Sequence, residues 1–341
     1  MRIALDAQLT VGTATGIGEY VRGLIDALRQ RGLDAIALRE PRLDPWRFDR
    51  RVLWDQAVLP RRARSSGAQL LHCAAGTMPR MTGMPIVVTV HDLAWHEAQA
   101  HAPAYARYYF GPFSLHRYRG AARIVVDSNF SRDRLLRILG DFDPSRVEVI
   151  YPGVAADFCG VSRGAGDGAT ILAVGTVERR KNLEVLIRAL PQLPGARLVA
   201  IGPHTPYAHE CAQLAQRLQV AARIEMPGYV PRAQLIGLYE RCAVAAVPSR
   251  YEGFGYAAAQ ALCAGVPCVV SDRASLPEIV AGDATSVDAD DPSAWAAALG
   301  AALYGSEELR ARQVRASAIA RFSWETSAQR IESVYVSSVD R

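Results

Sequence analysis

Residues 170–183, TILAVGTVERRKNL, join an apolar strand, a glycine turn and a cationic helix start. The side chains of 170–174 are typical of a buried strand, and residues 183–190 continue with helical apolar spacing. A strand, a tight turn and a helix in this order form the repeating unit of parallel α/β sheets. Free backbone N–H groups and the helix dipole favour an anion at such a helix start. The stretch therefore predicts an α/β fold with a phosphate site at this turn.

Lys181 is the only lysine in the chain, beside 38 arginines. A compact ammonium group and a planar guanidinium group are not interchangeable where a small anion has to be reached. A lysine kept in such an arginine-rich chain, and placed at this helix start, therefore indicates a phosphate ligand. The alternative is a lysine that remains by chance on a solvated helix start.

Strands alternate with helical patterns along the chain, in two series separated by the glycine-rich residues 161–169. This alternation predicts two doubly wound parallel sheets, covered by helices on both faces, in two domains that face a cleft. We expect a linker near 152–169, an N-terminal domain of residues 1–155 and a C-terminal domain of residues 156–321. A last helix within 322–341 is expected to pack back toward the N-terminal domain. The predicted strands are 3–6, 35–38, 69–72, 86–90, 124–127, 147–150, 170–174, 198–201, 223–226, 243–247 and 267–271.

The bulk composition is that of an ordinary globular protein, with 50% hydrophobic and 21% charged residues in a chain of 341. No apolar run approaches the roughly 18–20 residues of a membrane-spanning helix. The first residues read as a strand that ends in Asp6 and not as a signal peptide. The six cysteines are scattered without a CxxC pair, which predicts buried thiols and neither disulfides nor zinc ligands. These features predict a cytoplasmic protein.

The net charge of +5 lies entirely in residues 1–160. Residues 39–64 hold eight arginines and four acids, and residues 98–126 hold four arginines, six Tyr or Phe side chains and no acid. Basic and aromatic residues together suit an anionic membrane surface or a phosphate-bearing acceptor. The alternative is an arginine-rich solvated face. No helix-turn-helix, RNA-binding or zinc signature accompanies the charge, so we do not expect nucleic acid as a partner.

A second loop reads PSRYEGFG at residues 248–255, before a helical run over 256–264. Gly253 and Gly255 permit close approach of the backbone to a ligand, and the N–H groups at the helix start can hold an anion. Glu252 at this turn is placed to accept hydrogen bonds from sugar hydroxyls. The alternative is a capped turn between strand and helix that has no ligand.

Together these motifs resemble the retaining GT-B glycosyltransferases of family 4, also called glycosyl transferases group 1. Residues 252–267, with EGFG at their start and GVP at their end, resemble the nucleotide-sugar motif of that family, and residues 175–182 resemble its diphosphate loop. The sequences of these motifs are most similar to those of bacterial mannosyltransferase-like members. The resemblance covers nearly the whole chain. Its other pieces are Thr15-Gly16-Ile17-Gly18, His91-Asp92, residues 127–131, an interdomain junction at 150–154, and a base-binding segment of Gly228-Tyr229-Val230 with Leu235 and Tyr239.

The resemblance implies two Rossmann-like domains, the N-terminal one binding the acceptor and the C-terminal one binding most of the donor. It implies transfer of a sugar from a nucleoside diphosphate, with retention at the anomeric carbon and without a required metal. Lys181 and a neighbouring arginine can neutralise the departing diphosphate in place of a metal ion. The catalytic residues that it implies are Lys181, Arg180, Glu252 and His91. The donor-binding residues that it implies are Gly16, Gly18, Gly175, Thr176, Val230, Gly253, Phe254, Gly255 and Gln260.

Two positions depart from the pattern of the family. The residue after the glycine of the diphosphate loop is often Arg, but here it is Thr176; Arg180 is the expected substitute, with Arg179 in reserve. The second glutamate of the Glu-x7-Glu motif is Gln260. A neutral amide accepts one bond from the ribose hydroxyls where a carboxylate accepts two. We expect the contact to weaken by about 1–2 kcal/mol, or roughly tenfold in affinity.

The N-terminal candidates also have two interpretations. In the family the histidine that matches His91 faces the donor sugar near the reacting centre. The alternative is a histidine at the edge of the core that bonds a loop carbonyl. Gly16 and Gly18 would let the first helix approach the cleft with its N-terminus toward phosphate, or they would only form a tight β–α turn.

The sequence thus predicts a retaining hexosyltransferase of surface-polysaccharide synthesis. The predicted donor is GDP-mannose first and a UDP-hexose next, and the acceptor is a saccharide or a lipid-linked saccharide at the inner membrane face. One alternative is a non-catalytic GT-B scaffold, which Thr176 and Gln260 suggest. Another is a dinucleotide-dependent oxidoreductase that uses GIG at 16–18 and Glu40, although Val21 stands in place of the third glycine.

Overall fold

The structure, a computed structural model, contains two six-stranded parallel sheets, each in its own compact unit. Unit 1 comprises Met1–Gly153 with Ser323–Arg341, and unit 2 comprises Val154–Phe322. The residues described are 1–12, 16–96, 104–162, 167–304 and 307–339.

The sheet of unit 1 is doubly wound. Its strands are β1 (Arg2–Asp6), β2 (Asp34–Leu38), β3 (Leu70–Cys73), β4 (Ile86–Val90), β5 (Arg123–Val126) and β6 (Val147–Val149). They pair in the order β2-β1-β3-β4-β5-β6, so the winding changes direction between β1 and β3. The helices are α1 (Gly16–Gln30), α2 (Phe48–Leu53), α3 (Leu59–Ser65), α4 (Ala104–Tyr108), α5 (Ser114–Tyr118) and α6 (Asn129–Leu139).

The sheet of unit 2 has the strand order of a Rossmann fold. Its strands are β7 (Thr170–Val174), β8 (Arg197–Ile201), β9 (Ile224–Gly228), β10 (Val244–Val247), β11 (Cys268–Ser271) and β12 (Thr285–Val287). They pair in the order β12-β11-β10-β7-β8-β9, so the switch point lies between β7 and β10. The helices are α7 (Ala156–Cys159), α8 (Leu183–Ala189), α9 (Tyr207–Arg217), α10 (Arg232–Arg241), α11 (Tyr256–Ala264), α12 (Leu276–Val280), α13 (Pro292–Tyr304) and α14 (Glu307–Arg321).

The last helix, α15 (Trp324–Val339), belongs to unit 1 and packs against α1, β3 and β4. Its first residue, Trp324, lies so close to Gly23 and Gly153 that a Cβ atom at either glycine would come within 2.3 Å of the indole. Ser327 in the next turn donates a hydrogen bond of 2.6 Å to the Tyr151 carbonyl. The helix is therefore fixed to unit 1 at its beginning as well as along its buried face.

The predicted α/β class with two parallel sheets is confirmed, and each of the predicted strands is present with bounds that differ by at most two residues. The sequence did not predict β12, a strand of three residues of which none is fully buried. The region expected to be a linker contains the short helix α7. Five of the six cysteines are buried and the sixth, Cys159, is half-buried, and all are free thiols.

Candidate functional site

The two loops singled out in the sequence lie at the switch point of unit 2. Residues 175–182 follow β7 and residues 248–255 follow β10, and these strands are neighbours in the sheet. In doubly wound sheets, ligands bind at the carboxyl ends of the strands on either side of the switch point. Gly175, Thr176, Lys181, Pro248 and Ser249 line one small cavity at this edge. Strand order therefore brings the two loops to one place.

A direct ion pair joins the two loops. Lys181 Nζ donates to Glu252 Oε1 at 2.5 Å, and Arg180 Nη1 lies 3.6 Å from Glu252 Oε2. Burial by itself would raise the pKa of Glu252, which is 8% exposed, but the Lys181 ammonium and the Arg180 guanidinium hold that pKa below its usual range. The carboxylate is thus charged at neutral pH, and the amine of Lys181 is held over the loop that follows β10.

Side chains that the sequence analysis did not single out support this pair. Ser249 Oγ donates to Glu252 Oε1 at 2.7 Å, and Ser275 Oγ donates to the carbonyls of Glu252 and Phe254 at 3.0 and 2.9 Å. Asn182, whose φ is +56°, donates from Nδ2 to the carbonyls of Pro248 and Ala289 at 3.1 and 2.7 Å. This buried amide, which bonds to two distant carbonyls, fixes the end of the loop 175–182 against the loop 248–255.

The arginines beside Lys181 point in different directions. Arg180 Nε bonds Glu178 at 2.8 Å, and its Nη1 donates to the Tyr251 carbonyl at 3.3 Å, so Arg180 lies at the second loop. Arg179 instead pairs with the exposed Glu210 at 2.6 Å on α9. Of the two substitutes expected for the missing arginine at Thr176, the structure therefore places Arg180 at the pair and Arg179 away from it.

The glycines of the two loops occupy positions that a side chain would disturb. Gly175 has φ +142° and lies against the side chain of Lys181, and its carbonyl oxygen would be 2.2 Å from a Cβ atom at Gly202, after β8. Gly255 has φ +99°, and a Cβ atom there would meet Leu276 at 2.7 Å. Both positive φ values lie in the region that glycine adopts without strain. A residue with a side chain at either position would therefore strain the backbone at the ends of β7 and β10, and at Gly255 it would also clash with Leu276.

The remaining unit 2 candidates lie on or near α11. Gly253 and Phe254 are buried in the loop before this helix, and Phe254 packs against Tyr256 and Phe322. Gln260 is half-buried, and its Oε1 accepts a bond of 3.4 Å from the hydroxyl of Tyr239 on α10. Val230 is 6% exposed, between β9 and α10. In the described part of the chain, Gln260 makes no hydrogen bond to Lys181 or Glu252.

In unit 1, His91 is bonded at both ring nitrogens. Nδ1 lies 2.7 Å from Asp127 Oδ2, at the end of β5, and Nε2 lies 2.9 Å from the carbonyl oxygen of Ala74. A carbonyl only accepts, so Nε2 has to be protonated, and a charged Asp127 requires a proton on Nδ1 as well. Burial by itself would lower the pKa of His91, but Asp127 raises it above its usual range. Burial also raises the pKa of Asp127, and His91 opposes that rise. The two hydrogen bonds of the ring favour an imidazolium ion wherever Asp127 is charged.

The other unit 1 candidates lie at the start of α1. Gly16 is its first residue and is exposed, and Gly18 is buried two residues later; Thr15, quoted with them, lies outside the described residues. The ring of Tyr20 on the same helix packs edge-on against His91, with 4.7 Å between ring centroids. The structure therefore brings the helix start and the histidine to the same edge of the sheet of unit 1.

The sequence contained signals for two of the residues that were missed. Asp127 ends a predicted strand next to the one that His91 follows, and carboxyl ends of neighbouring parallel strands meet at one edge. Ser249 stands three residues before Glu252, at the beginning of the same loop. Ser275 and Asn182 had no comparable signal, because their partners are distant in the chain.

Two families of known proteins match the chain. The family described as Glycosyltransferase Family 4 matches residues 14–158, and that described as Glycosyl transferases group 1 matches residues 161–318. Both descriptions name glycosyl transferases, which is the class of protein that the two sheets and the loops after β7 and β10 indicate.

Individual proteins agree with the two families. D-inositol 3-phosphate glycosyltransferase of Xylanimonas cellulosilytica is 32% identical over 288 residues, which cover 76% of this chain and 67% of that protein. HepE of Anabaena, solved in complex with UDP-glucose, is 18% identical with a TM-score of 0.75, and the match covers 99% of this chain and 100% of the other. Sucrose-phosphate synthase of Thermosynechococcus elongatus is 21% identical with a TM-score of 0.74, over 98% of both chains. The chain belongs to the GT-B glycosyltransferases of family 4.

The expected GT-B fold is thereby confirmed. The chain spans about half to two thirds of the length of the curated relatives that it matches, 67%, 50% and 60% for three of them. Family membership removes the basis for the oxidoreductase alternative, and the carboxylate of Glu40, which that alternative needs for a ribose, is paired with Arg62.

Two further observations concern the described residues alone. None of their helices combines the length and the apolar character that crossing a bilayer requires. In the same part of the chain, no group of three His, Cys, Asp or Glu side chains is arranged to hold a metal ion.

Proposed function

We propose that this protein transfers a hexose from a nucleoside-diphosphate sugar to a saccharide or lipid-linked acceptor, with retention at the anomeric carbon. Unit 2 binds the donor and unit 1 binds the acceptor. The observation that supports this most is the Lys181–Glu252 pair at the switch point of unit 2. It combines an ammonium group suited to a diphosphate with a carboxylate suited to sugar hydroxyls.

The donor diphosphate binds beside Lys181 and Arg180. The amine of Lys181 already donates to Glu252 at 2.5 Å. When the donor binds, part of this hydrogen bonding is replaced by bonds from the amine to phosphate oxygens. Glu252 then accepts hydrogen bonds from the hexose, while Ser249 and Lys181 keep the carboxylate in place. As the bond from the anomeric carbon to phosphate breaks, charge grows on the diphosphate, and fixed cations stabilise it without reorganisation.

The acceptor attacks from the face that the diphosphate leaves. The bond between the acceptor oxygen and the anomeric carbon forms as the bond to the phosphate oxygen breaks, and the acceptor proton passes to a phosphate oxygen. His91 does not act as the base in this scheme, because its nitrogens face a carboxylate and a carbonyl. As an imidazolium it supplies positive charge at the carboxyl edge of β4. The departing diphosphate is then the remaining proton acceptor.

GDP-mannose is the first donor to test, followed by UDP-hexoses. The acceptor belongs to surface-polysaccharide synthesis, at the cytoplasmic face of a membrane that the basic unit 1 contacts. The excess of positive charge in residues 1–160 supports this membrane contact.

The proposal is tested by incubating the purified chain with GDP-mannose, UDP-glucose and UDP-galactose. Release of nucleoside diphosphate, calorimetric binding and the anomeric coupling of the product by NMR are measured. We expect binding and turnover with at least one donor, an axial product from an axial donor, and an unchanged rate after EDTA treatment. Absence of both binding and turnover with a full donor panel would end the proposal.

A non-catalytic scaffold is the second candidate, because Gln260 replaces a carboxylate and its Oε1 is bonded to Tyr239. This candidate predicts a folded chain that binds no nucleotide sugar, whether or not Glu is restored at position 260.

A further inference from the structure

A wide groove lies at the amino-terminal edge of the sheet of unit 1. It has a volume of about 1020 Å³ and lies between the loop 78–86 and the segment 113–122, with Arg146 at one side. Ile86 begins β4, and residues 120–122 and Arg146 directly precede β5 and β6. His91 and Asp127 follow β4 and β5 at the opposite edge. A strand of five residues spans about 17 Å, so the groove is separate from the candidate site of unit 1.

The charge of the groove is one-sided. Its described lining contains Arg80, His116, Arg117 and Arg119 and no aspartate or glutamate. Arg117 donates to the carbonyls of Met78 and Phe113 and to a serine hydroxyl, and Arg119 donates to the carbonyls of Leu139 and Asp141. Arg117 is 6% exposed, whereas Arg80 and Arg119 are exposed, and among the described residues neither of these two is paired with a carboxylate. The groove therefore presents a positive potential to whatever approaches it.

The groove also exposes apolar side chains. Met81 is 77% exposed in the loop, between Arg80 and Thr82, and Met78, Met84 and Phe113 line the groove beside it. Met78 itself is 3% exposed, so the apolar patch consists of Met81 with the partly buried Met84 and Phe113. Contiguous apolar side chains of this kind mark an interaction surface more often than scattered ones do. An unbranched thioether beside arginines suits insertion among lipid chains, with the guanidinium groups at the level of the phosphates.

Exposed aromatic rings continue this surface along α4. Tyr108 is 62% exposed and stacks on Phe113, with 6.1 Å between centroids and 26° between ring planes. Tyr105, one turn earlier, is 58% exposed and packs against Phe48 at 4.6 Å. Tyrosine rings prefer the interfacial layer of a bilayer, where the ring is in an apolar medium and the hydroxyl in water.

We propose that the groove, with Met81 inserted and the adjacent tyrosines at the interface, docks unit 1 on a bilayer that contains anionic phospholipids. This deepens the membrane contact in the proposed function by naming the surface, and it does not depend on sugar transfer. Anionic lipid accounts for the arginines, the methionines and the tyrosines together, whereas a free phosphate accounts for the arginines alone. Docking at this edge holds His91 about one strand length from the lipid. This placement suits an acceptor whose sugar extends away from the membrane.

The experiment compares two double variants of the full chain. Arg80→Glu with Met81→Asp changes the groove. Arg61→Glu with Val336→Asp makes the same change of charge on unit 1 at residues that do not line the groove; Arg61 is exposed and Val336 is 50% exposed. Co-sedimentation is measured with vesicles of phosphatidylcholine and with vesicles in which a third of the lipid is phosphatidylglycerol. Donor binding and transfer to a water-soluble acceptor are measured in parallel.

We expect the wild type to sediment with the anionic vesicles and to be released by high salt. The groove variant is expected to partition about tenfold less, since one arginine near the surface contributes roughly a factor of five and its reversal removes more. The control variant is expected to bind as the wild type does, and both variants should retain donor binding. Equal losses in the two variants would overturn the proposal in favour of general charge attraction. Absence of wild-type binding to either vesicle would also overturn it, whatever the transferase assay shows.

Discussion

Each unit places a carboxylate and a cation at the carboxyl edge of its sheet, and the two pairs differ in what their cations can reach. In unit 1, His91 has acceptors at both nitrogens, and the side chains of His91 and Asp127 are 13% and 3% exposed. In unit 2, the ammonium group of Lys181 has three donor hydrogens, and its side chain is 23% exposed. Among the described residues, Glu252 is the one carboxylate that pairs with it. The His91–Asp127 pair of unit 1 is closed, in the sense that both ring nitrogens already have partners. The Lys181–Glu252 pair of unit 2 is exchangeable, because the amine can bind another anion.

The difference follows from how the two pairs are built. His91 and Asp127 are rigid side chains at the ends of adjacent strands, so packing fixes their separation. Lys181 reaches Glu252 through a long aliphatic chain from a different loop, and a flexible stem can carry the same charge to a new anion. We therefore expect changes in the unit 2 pair to act first on nucleotide binding and transfer. Changes in the unit 1 pair should act first on protonation and stability.

Replacing Lys181 by Ala should have the largest effect. We expect kcat to fall about 100- to 1000-fold, because the charge that develops on the leaving diphosphate loses a fixed cation. Turnover of the best donor is the measurement, with circular dichroism to confirm folding. Lys181→Arg should restore only part of the rate, since the planar group places its charge differently. Full activity in that variant would contradict the assignment of a special role to this lysine.

Replacing Glu252 by Gln should separate binding from transfer. We expect the rate to fall about 10- to 100-fold, because a charge-assisted bond to the sugar is lost. Free nucleoside diphosphate should bind at least as tightly as to the wild type, since Lys181 is then released from its 2.5 Å contact. Calorimetry with UDP and GDP gives the second quantity. Weaker binding of both nucleotides would show that Glu252 organises the site and does not compete for Lys181.

Replacing Asp127 by Asn should change the protonation of His91 and lower the rate about tenfold. Without the carboxylate, burial is opposed only by the Ala74 carbonyl and the charge of Asp92, so the pKa of His91 should fall from its raised value. The ring ¹⁵N resonances of His91 report this directly. His72 in the same unit should stay neutral in both proteins, because burial, with a smaller contribution from the charge of His91, lowers its pKa to about 3, and its ring bonds the hydroxyls of Thr89 and Tyr335.

The same variant has a consequence for the free energy of unfolding. A histidine whose folded pKa is raised stabilises the protein fully below pH 6.5, and this contribution is lost as the pH rises through the folded pKa. The wild type should therefore lose stability above pH 6.5, and Asp127→Asn should show a smaller loss. Urea denaturation over this range, followed by tryptophan fluorescence, measures both slopes. Parallel slopes would mean that His91 is not held as an imidazolium.

The sequence predicted most of the fold, because strands covered on both faces read as continuous apolar runs. Thr170–Val174 and Ile86–Val90 have the bounds that were predicted. The exception, β12, is short and carries a serine and a threonine, so its pattern is that of a loop. The order of the strands in the sheets was not predictable residue by residue, since it depends on which helices cross over which face.

The candidate site was predictable where a motif follows a strand and not where two distant residues meet. The loops of Gly175 and Glu252 were visible in the sequence as turns with unusual glycines and charges. The direct bond between Lys181 and Glu252 spans 71 residues, and the bond between His91 and Asp127 spans 36. Such contacts depend on the pairing of β7 with β10 and of β4 with β5, which periodicity alone does not reveal.

Replacing Gln260 by Glu should have the smallest effect and the opposite sign. The amide Oε1 now accepts from Tyr239, and a carboxylate could keep that bond while it accepts from ribose with its second oxygen. Burial keeps the hydroxyl of Tyr239 protonated, because its pKa is raised, so it remains a donor. We expect nucleotide affinity to rise up to about tenfold, with kcat nearly unchanged, since both the ground state and the transition state gain the contact.

Gln260→Asn is the matched control for this gain, because it keeps the amide and shortens its reach. Affinities for UDP and GDP by calorimetry are compared for the three proteins. A gain with Glu and a loss with Asn would place position 260 at the ribose and extend the exchangeable pair of unit 2 to a full donor site. If neither the wild type nor the Glu variant bound a nucleotide, the unit 2 pair would be as closed as that of unit 1. The scaffold candidate would then be favoured over the enzyme.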